Sequence, residues 1–292
     1  MYREDWPARL RRVRKPRKSN KTYLVLAILC IVSLTIVSYY LYDLYMVHSR
    51  SAEVRRQMEN SPLVSSPVDN PDSINRDNSG GAEGIRNPEG LVNLEDSTTL
   101  IESNGNRSLE ILALREQFNN NDIVGRLSII GTSIDYPVVQ GVDNEFYLRH
   151  DIWGNPSTGG WIFLDYEVDI TGQDQNIVIY GHNMVIGTMF HSLRHYVDYE
   201  FLRAHQIISF STLYANYEWE IFAFYSTHID FPYTHINFPN ISTWANMLEQ
   251  FMQRSIHDTG IIVTPNDRIL TLSTCTNHDL DERFVLQARL IR

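Results

Sequence analysis

Lysine is missing from this chain after residue 21, and cysteine occurs only twice in 292 residues, as Cys30 and Cys275. Cys30 lies inside an apolar run, so everything beyond that run holds a single thiol and cannot be stapled by an intrachain disulfide. A lone thiol of this kind is a reactive group, a site of intermolecular pairing, or a small buried hydrophobe. Internal repeats and heptads are also absent, which removes solenoids and coiled coils.

The apolar run, Thr22 to Tyr42 (TYLVLAILCIVSLTIVSYYLY), lacks any charge over 21 residues. That matches the roughly 20 residues a helix needs to cross a bilayer core. Tyr39, Tyr40, Tyr42 and Tyr45 crowd its far end, as an interfacial aromatic belt does. A cleaved signal peptide is the rival, but its apolar part is about 7 to 15 residues and ends at a small-x-small site. The longer run reads as an uncleaved transmembrane anchor over residues 22–42.

Residues 1–21 carry nine Lys and Arg against Glu4 and Asp5, a net of +7, so the rest of the chain must hold −17 to give the total of −10. The positive-inside rule places that basic segment in the cytoplasm and sends the chain beyond the anchor outside the cell membrane. A basic run also suits nucleic acid, but its position flush against the anchor makes it a topology signal. The acidic remainder offers no basic face, so no nucleic-acid partner is expected.

From Ser51 to Asn106 the sequence is rich in Ser, Asn, Asp, Glu, Gly and Pro with no sustained period. Residues 43–106 therefore read as a flexible extracellular linker; its ~55 residues from Ser51 span roughly 40 Å as a coil. Folded sequence is expected over 107–292. It opens with a helix in RSLEILALREQFNNND, capped by Ser108, with Leu109, Leu112, Ala113 and Glu116 at helical spacing.

Next come short runs rich in Ile, Val and aromatics: IVGRLSI, IDYPVVQ, GGWIFLD, QNIVIYGH, QIISFST, YEWEIFAFYS, GIIVT, RILTLST and RFVLQARLI. Helices are expected at about Thr188 to Arg203 and Thr243 to Arg254. So many brief strands with few βαβ units predict a mainly β fold, a closed or nearly closed barrel with an N-terminal helix and inserted helices.

Cysteine chemistry needs a thiolate, a proton carrier and a positive group for an oxyanion. Cys275 ends one expected strand, His182 ends another, and Arg283 opens a third. Strand neighbours about 4.8 Å apart would bring such ends together. Taken singly, each has a bland reading: one histidine of ten, or an arginine after Asp281 and Glu282 exposed to solvent.

TLSTC at Thr271 to Cys275, YGHNM at Tyr180 to Met184 followed by GTMFHSL, and an arginine shortly beyond the cysteine resemble the sortases, membrane-anchored cysteine transpeptidases of Gram-positive bacteria. IDYPVVQGVDNEFYLRHD at Ile134 to Asp151, the preceding helix and the helix before the last strands are most similar to class B members. The resemblance covers roughly Arg107 to Arg292 and implies a sortase-type barrel. It implies Cys275 as nucleophile, His182 as acid and base, and Arg283 as the oxyanion or substrate-positioning group. Ser273, Asn144 and Leu148 would contact substrate, and the Thr276 backbone N–H would serve an oxyanion hole. Implied partners are surface proteins bearing a C-terminal sorting signal cut after Thr, and an amine from peptidoglycan precursor or from a pilin lysine. The scheme requires no cofactor or metal.

The alternatives stand on other features. His191 and His195 in HSLRH are spaced i, i+4 for zinc, but Ser192 occupies the place of the general-base glutamate in H-E-x-x-H. A papain-like hydrolase has its cysteine early and histidine late, the reverse of the order here. A pilin-polymerising enzyme would share the whole constellation. A non-enzymatic membrane-anchored binding protein on the same barrel would leave Cys275 inert.

Overall fold

The computed structural model describes residues 20–60, 109–171, 174–276 and 281–291. Helix α1 runs Asn20–Glu59. From Tyr23 it contains a stretch apolar and long enough to cross a membrane. The chain divides into two compact units, Met1–Asp43 and Leu44–Arg292.

The second unit therefore begins within α1, and this corrects the linker expectation for its first residues. Val47, Ser51, Val54 and Met58 are buried at spacings of about one turn, and Val54 and Met58 join the main apolar cluster. Arg50 pairs with Asp151 at 2.8 Å, whose side chain is 2% exposed. At Gly159 a Cβ would lie 2.6 Å from Val47 Cγ1, so the close approach of the helix is open only to glycine. The rest of the expected linker, 61–106, and the proposed cap Ser108 lie outside the described residues.

Helix α2 (109–118) forms where expected but turns another face inward. Ile111, Leu114 and Phe118 are buried, whereas Leu109 and Leu112 are each 49% exposed. The i, i+3, i+7 row of larger side chains wins the core.

Eight strands close into a barrel: β1 (Ile123–Ser128), β2 (Asp135–Val139), β3 (Phe163–Leu164), β4 (Asn176–Tyr180), β5 (Ile207–Thr212), β6 (Asn216–His228), β7 (Ile269–Cys275) and β8 (Glu282–Leu290). Their order around it is β1-β2-β3-β4-β7-β8-β6-β5, with β2·β3 and β4·β7 parallel. GIIVT is not a strand: Gly260 has φ +69° and Ile262 is 75% exposed. Closure leaves no sheet edge for a ninth partner.

Alternation along β7 and β8 serves two cores. Leu270, Leu272, Leu286 and Ala288 belong to the main cluster, while Ile269 and Val285 pack with Trp244, Leu248 and Phe251 of helix α5 (Ile241–Arg254). The Asn240 side chain caps that helix by accepting from Thr243 N–H at 2.9 Å. A short helix α3 (Phe146–Arg149) comes after β2. The helix expected at Thr188 to Arg203 is split, into a 3-10 helix Phe190–Val197 and α4 Tyr199–Ala204. Asp198 divides them, giving its N–H to His195 O and accepting from Glu200 N–H with its carboxylate.

Candidate active site

Period two puts Cys275 on the same face of β7 as Ile269, Thr271 and Ser273, outside the barrel interior and under the β6–α5 connection. Two neighbouring strands complete the site. In the antiparallel β7·β8 ladder Cys275 stands directly opposite Arg283. In the parallel β4·β7 ladder Tyr180 is paired with Ser273, so both strands leave the barrel at the same end. His182 and Cys275 each lie two residues further on. Gly181 N–H donates to Ser273 O at 3.2 Å, and Asn183 Nδ2 donates to Cys275 O at 3.0 Å. The three residues expected to act together thus converge from β4, β7 and β8.

Cys275 is half-buried and makes no disulfide. His182 Nε2 lies 2.8 Å from Leu148 O. A carbonyl only accepts, so Nε2 carries a hydrogen in this contact. Arg283 Nη1 donates to Glu282 O at 3.0 Å.

The four further residues divide by what they touch. Leu148 supplies its carbonyl to His182, and its half-buried side chain packs on the main cluster. Asn144 donates to Asp165 Oδ2 at 2.9 Å and accepts from Tyr166 N–H at 3.1 Å, so both ends of its amide hold the loop after β3. Ser273 is 2% exposed, with its hydroxyl 2.9 Å from Tyr233 OH. Thr276 N–H donates to Glu282 O at 3.3 Å.

Three supporting residues carry no sequence-based expectation. Asp165 also accepts from Tyr180 OH at 2.8 Å. Burial raises the Tyr233 hydroxyl pKa, against the bond to Ser273 and the nearby positive charge of Arg283, with the nearby Cys275 adding to the rise. Tyr233 therefore stays protonated beside both groups. Asn183 lies inside the YGHNM motif, but only the fold shows that its amide reaches the cysteine strand. Of the HSLRH histidines, His191 Nδ1 bonds Asn183 Oδ1 at 2.9 Å, and the His195 ring stands 6.1 Å away at a steep angle.

A half-buried cysteine ending a barrel strand, flanked by a histidine loop and an arginine, is the arrangement of a cysteine transpeptidase, and the family model described as Sortase domain matches residues 127–291. The chain belongs to the sortase B family of cysteine transpeptidases. It is 43% identical to Sortase B of Listeria monocytogenes over 174 residues, covering 59% of this chain and 71% of that protein. Identity to Sortase B of Staphylococcus aureus is 34% over 175 residues, covering 59% and 72%. The solved structure of Listeria sortase B covers 61% of this chain and 99% of its own, at 41% identity and TM-score 0.56. A Staphylococcus aureus sortase B–substrate complex matches at 29% identity and TM-score 0.58, covering 68% and 97%.

Proposed function

We propose that Cys275, His182 and Arg283 carry out transpeptidation on a C-terminal sorting signal cut after Thr, passing the protein to an amine nucleophile of the cell wall. The observation that supports this most is the shared end of β4, β7 and β8, where ladder register sets Cys275 opposite Arg283 and His182 follows two residues after the Tyr180–Ser273 pair. Cys275 loses its proton to His182 and attacks the Thr carbonyl carbon, forming the C–S bond. The tetrahedral oxyanion is held by the Arg283 guanidinium. As the carbonyl re-forms, the C–N bond breaks and His182 gives its proton to the departing amine. An incoming amine then attacks the thioester, loses its proton to His182, and releases Cys275 as thiolate, which is reprotonated.

Substrate choice is assigned to the segment from Ser226 to Leu248. Tyr233 reaches Ser273 from it, and Asn176 Nδ2 holds its backbone through Tyr233 O and His235 O at 2.9 and 3.0 Å. Exchanging this segment for that of another sortase B should move peptide preference across a library read by acyl-enzyme mass, with the chemistry retained. An unchanged preference would place specificity elsewhere.

The basic segment before α1 and the apolar length of that helix support a single-pass anchor with the N-terminus in the cytoplasm and the enzyme outside. Protease added to intact cells is expected to digest residues beyond Asp43 and spare the N-terminal segment. Protection of the C-terminal part would reverse the orientation.

A further inference from the structure

We propose that Asn183, oriented by His191, is a positioning residue for transpeptidation: it pins the peptide group between Cys275 and Thr276 and so holds in place the backbone from which the Cys275 side chain projects. The proposal rests on the reading of Cys275 as nucleophile.

Cys275 C=O and Thr276 N–H belong to one planar unit. Asn183 Nδ2 donates to the carbonyl at 3.0 Å, and Thr276 N–H donates to Glu282 O at 3.3 Å. Held at both edges, the plane cannot turn about its Cα–C bond without losing a hydrogen bond. Fixing the plane holds the backbone of Cys275, and with it the Cα from which the thiol projects, between the histidine loop and β8.

Asn183 is well placed to carry this load. It is 7% exposed and comes directly after His182 in the chain. Its backbone forms an isolated bridge with Met189, and Phe190 N–H donates to His182 O at 2.9 Å. Beyond the Gly181 N–H bond to Ser273 O, this amide ties the histidine loop to Cys275 itself, so a shift in either is transmitted to the other.

An asparagine amide can face a carbonyl with its nitrogen or, at a cost, with its oxygen. His191 removes the choice. Its Nδ1 lies 2.9 Å from Asn183 Oδ1, and an amide oxygen only accepts, so the ring proton sits on Nδ1 and the Asn183 nitrogen is turned to Cys275. Burial, with Arg194 and His195 nearby, lowers the His191 pKa, so the ring is neutral near pH 7 with its one proton committed to this bond. The first histidine of HSLRH, which by spacing alone suits a metal, thus acts through the asparagine.

The test uses the full chain and a sorting-signal peptide bearing Thr at the cleavage position, with single-turnover acylation read by intact mass. Asn183→Ala and the isosteric Asn183→Asp, which lacks the N–H donor, should each slow acylation about 10- to 100-fold, with the half-saturating peptide concentration within about twofold. Should the alanine variant not fold, Asn183→Asp carries the test. His191 supplies a sharper pair. Asparagine places its amide nitrogen near the position of ring Nδ1, and glutamine near Nε2. His191→Gln should behave like the Asn183 variants, and His191→Asn should recover acylation to within about threefold of wild type. Equal effects of the two His191 substitutions, or Asn183 variants acylating at the wild-type rate, would overturn the proposal. Cys275→Ala keeps the two claims apart: if that variant still acylates, the nucleophile assignment fails, whereas its loss alongside active Asn183 variants sinks the positioning role alone.

Discussion

Replacing Cys275 with alanine is expected to abolish acyl-enzyme formation while leaving the fold intact. The substitution removes the only cysteine sulfur in the second unit, and no other nucleophile ends β7. Where nucleophile and base act as a unit, loss of the nucleophile costs about a millionfold in turnover. The structural cost is small, because Cys275 is only half-buried and alanine keeps its Cβ; about 1 kcal/mol is the scale for such a change. Single-turnover reaction with a sorting-signal peptide, read by intact mass, would show no adduct on the variant. A thermal melt close to that of the parent shows that the loss is chemical. An adduct of undiminished yield would mean that another residue attacks.

Arg283→Lys is expected to lower single-turnover acylation by about 100- to 1,000-fold, the usual effect of removing one oxyanion donor. Lysine keeps the charge but replaces a planar fork of five donors by a compact ammonium on a flexible stem. Arg283 already spends Nη1 on the Glu282 carbonyl, which fixes the plane of the fork, and its charge is felt by Tyr233. A single ammonium cannot hold that carbonyl and a developing oxyanion in the same geometry. A solvated surface arginine would behave otherwise, with changes within about 0.5 kcal/mol on such a substitution. The rate of adduct formation in a folded variant separates the two. Near-parental acylation by the lysine form would remove Arg283 from the reaction and leave Cys275 and His182 with another partner.

Much of the barrel is legible because its strands alternate or run apolar, and eight of the nine expected segments pair in the closed sheet. The ninth, GIIVT, has strand composition but no edge to join, and edges are a property of closure that no local window contains. The docked part of α1 is hidden for a different reason. Its buried row, Val47, Ser51, Val54 and Met58, is a narrow stripe among Arg50, Glu53, Arg55 and Arg56, and polar composition masks the helical period. In α2 the period is visible but its phase is not, since Leu109 and Leu112 compete with Ile111 and Leu114 for the same core.

The site shows the same division. Cys275, His182 and Arg283 stand out as chemistry-bearing residues at strand ends, yet β4 and β7 are distant in sequence, with 92 residues separating Asn183 from the cysteine it bonds. Parallel pairing across such a gap is set by the whole barrel. Roles carried by backbone groups are out of reach for a related reason: the Leu148 carbonyl on His182 and the Glu282 carbonyl on Thr276 depend on dihedral angles, which residue identity does not encode at those positions.

The most direct test of the account is to trap the covalent intermediate on the native chain. Reaction with a peptide library carrying Thr at the cleavage position, quenched in acid and digested, should yield one modified peptide whose acyl group ends in that Thr and sits on Cys275 as a hydroxylamine-labile thioester. Cleaved substrate with the acyl group on any other residue, or with no acyl-enzyme at any time point, would contradict it.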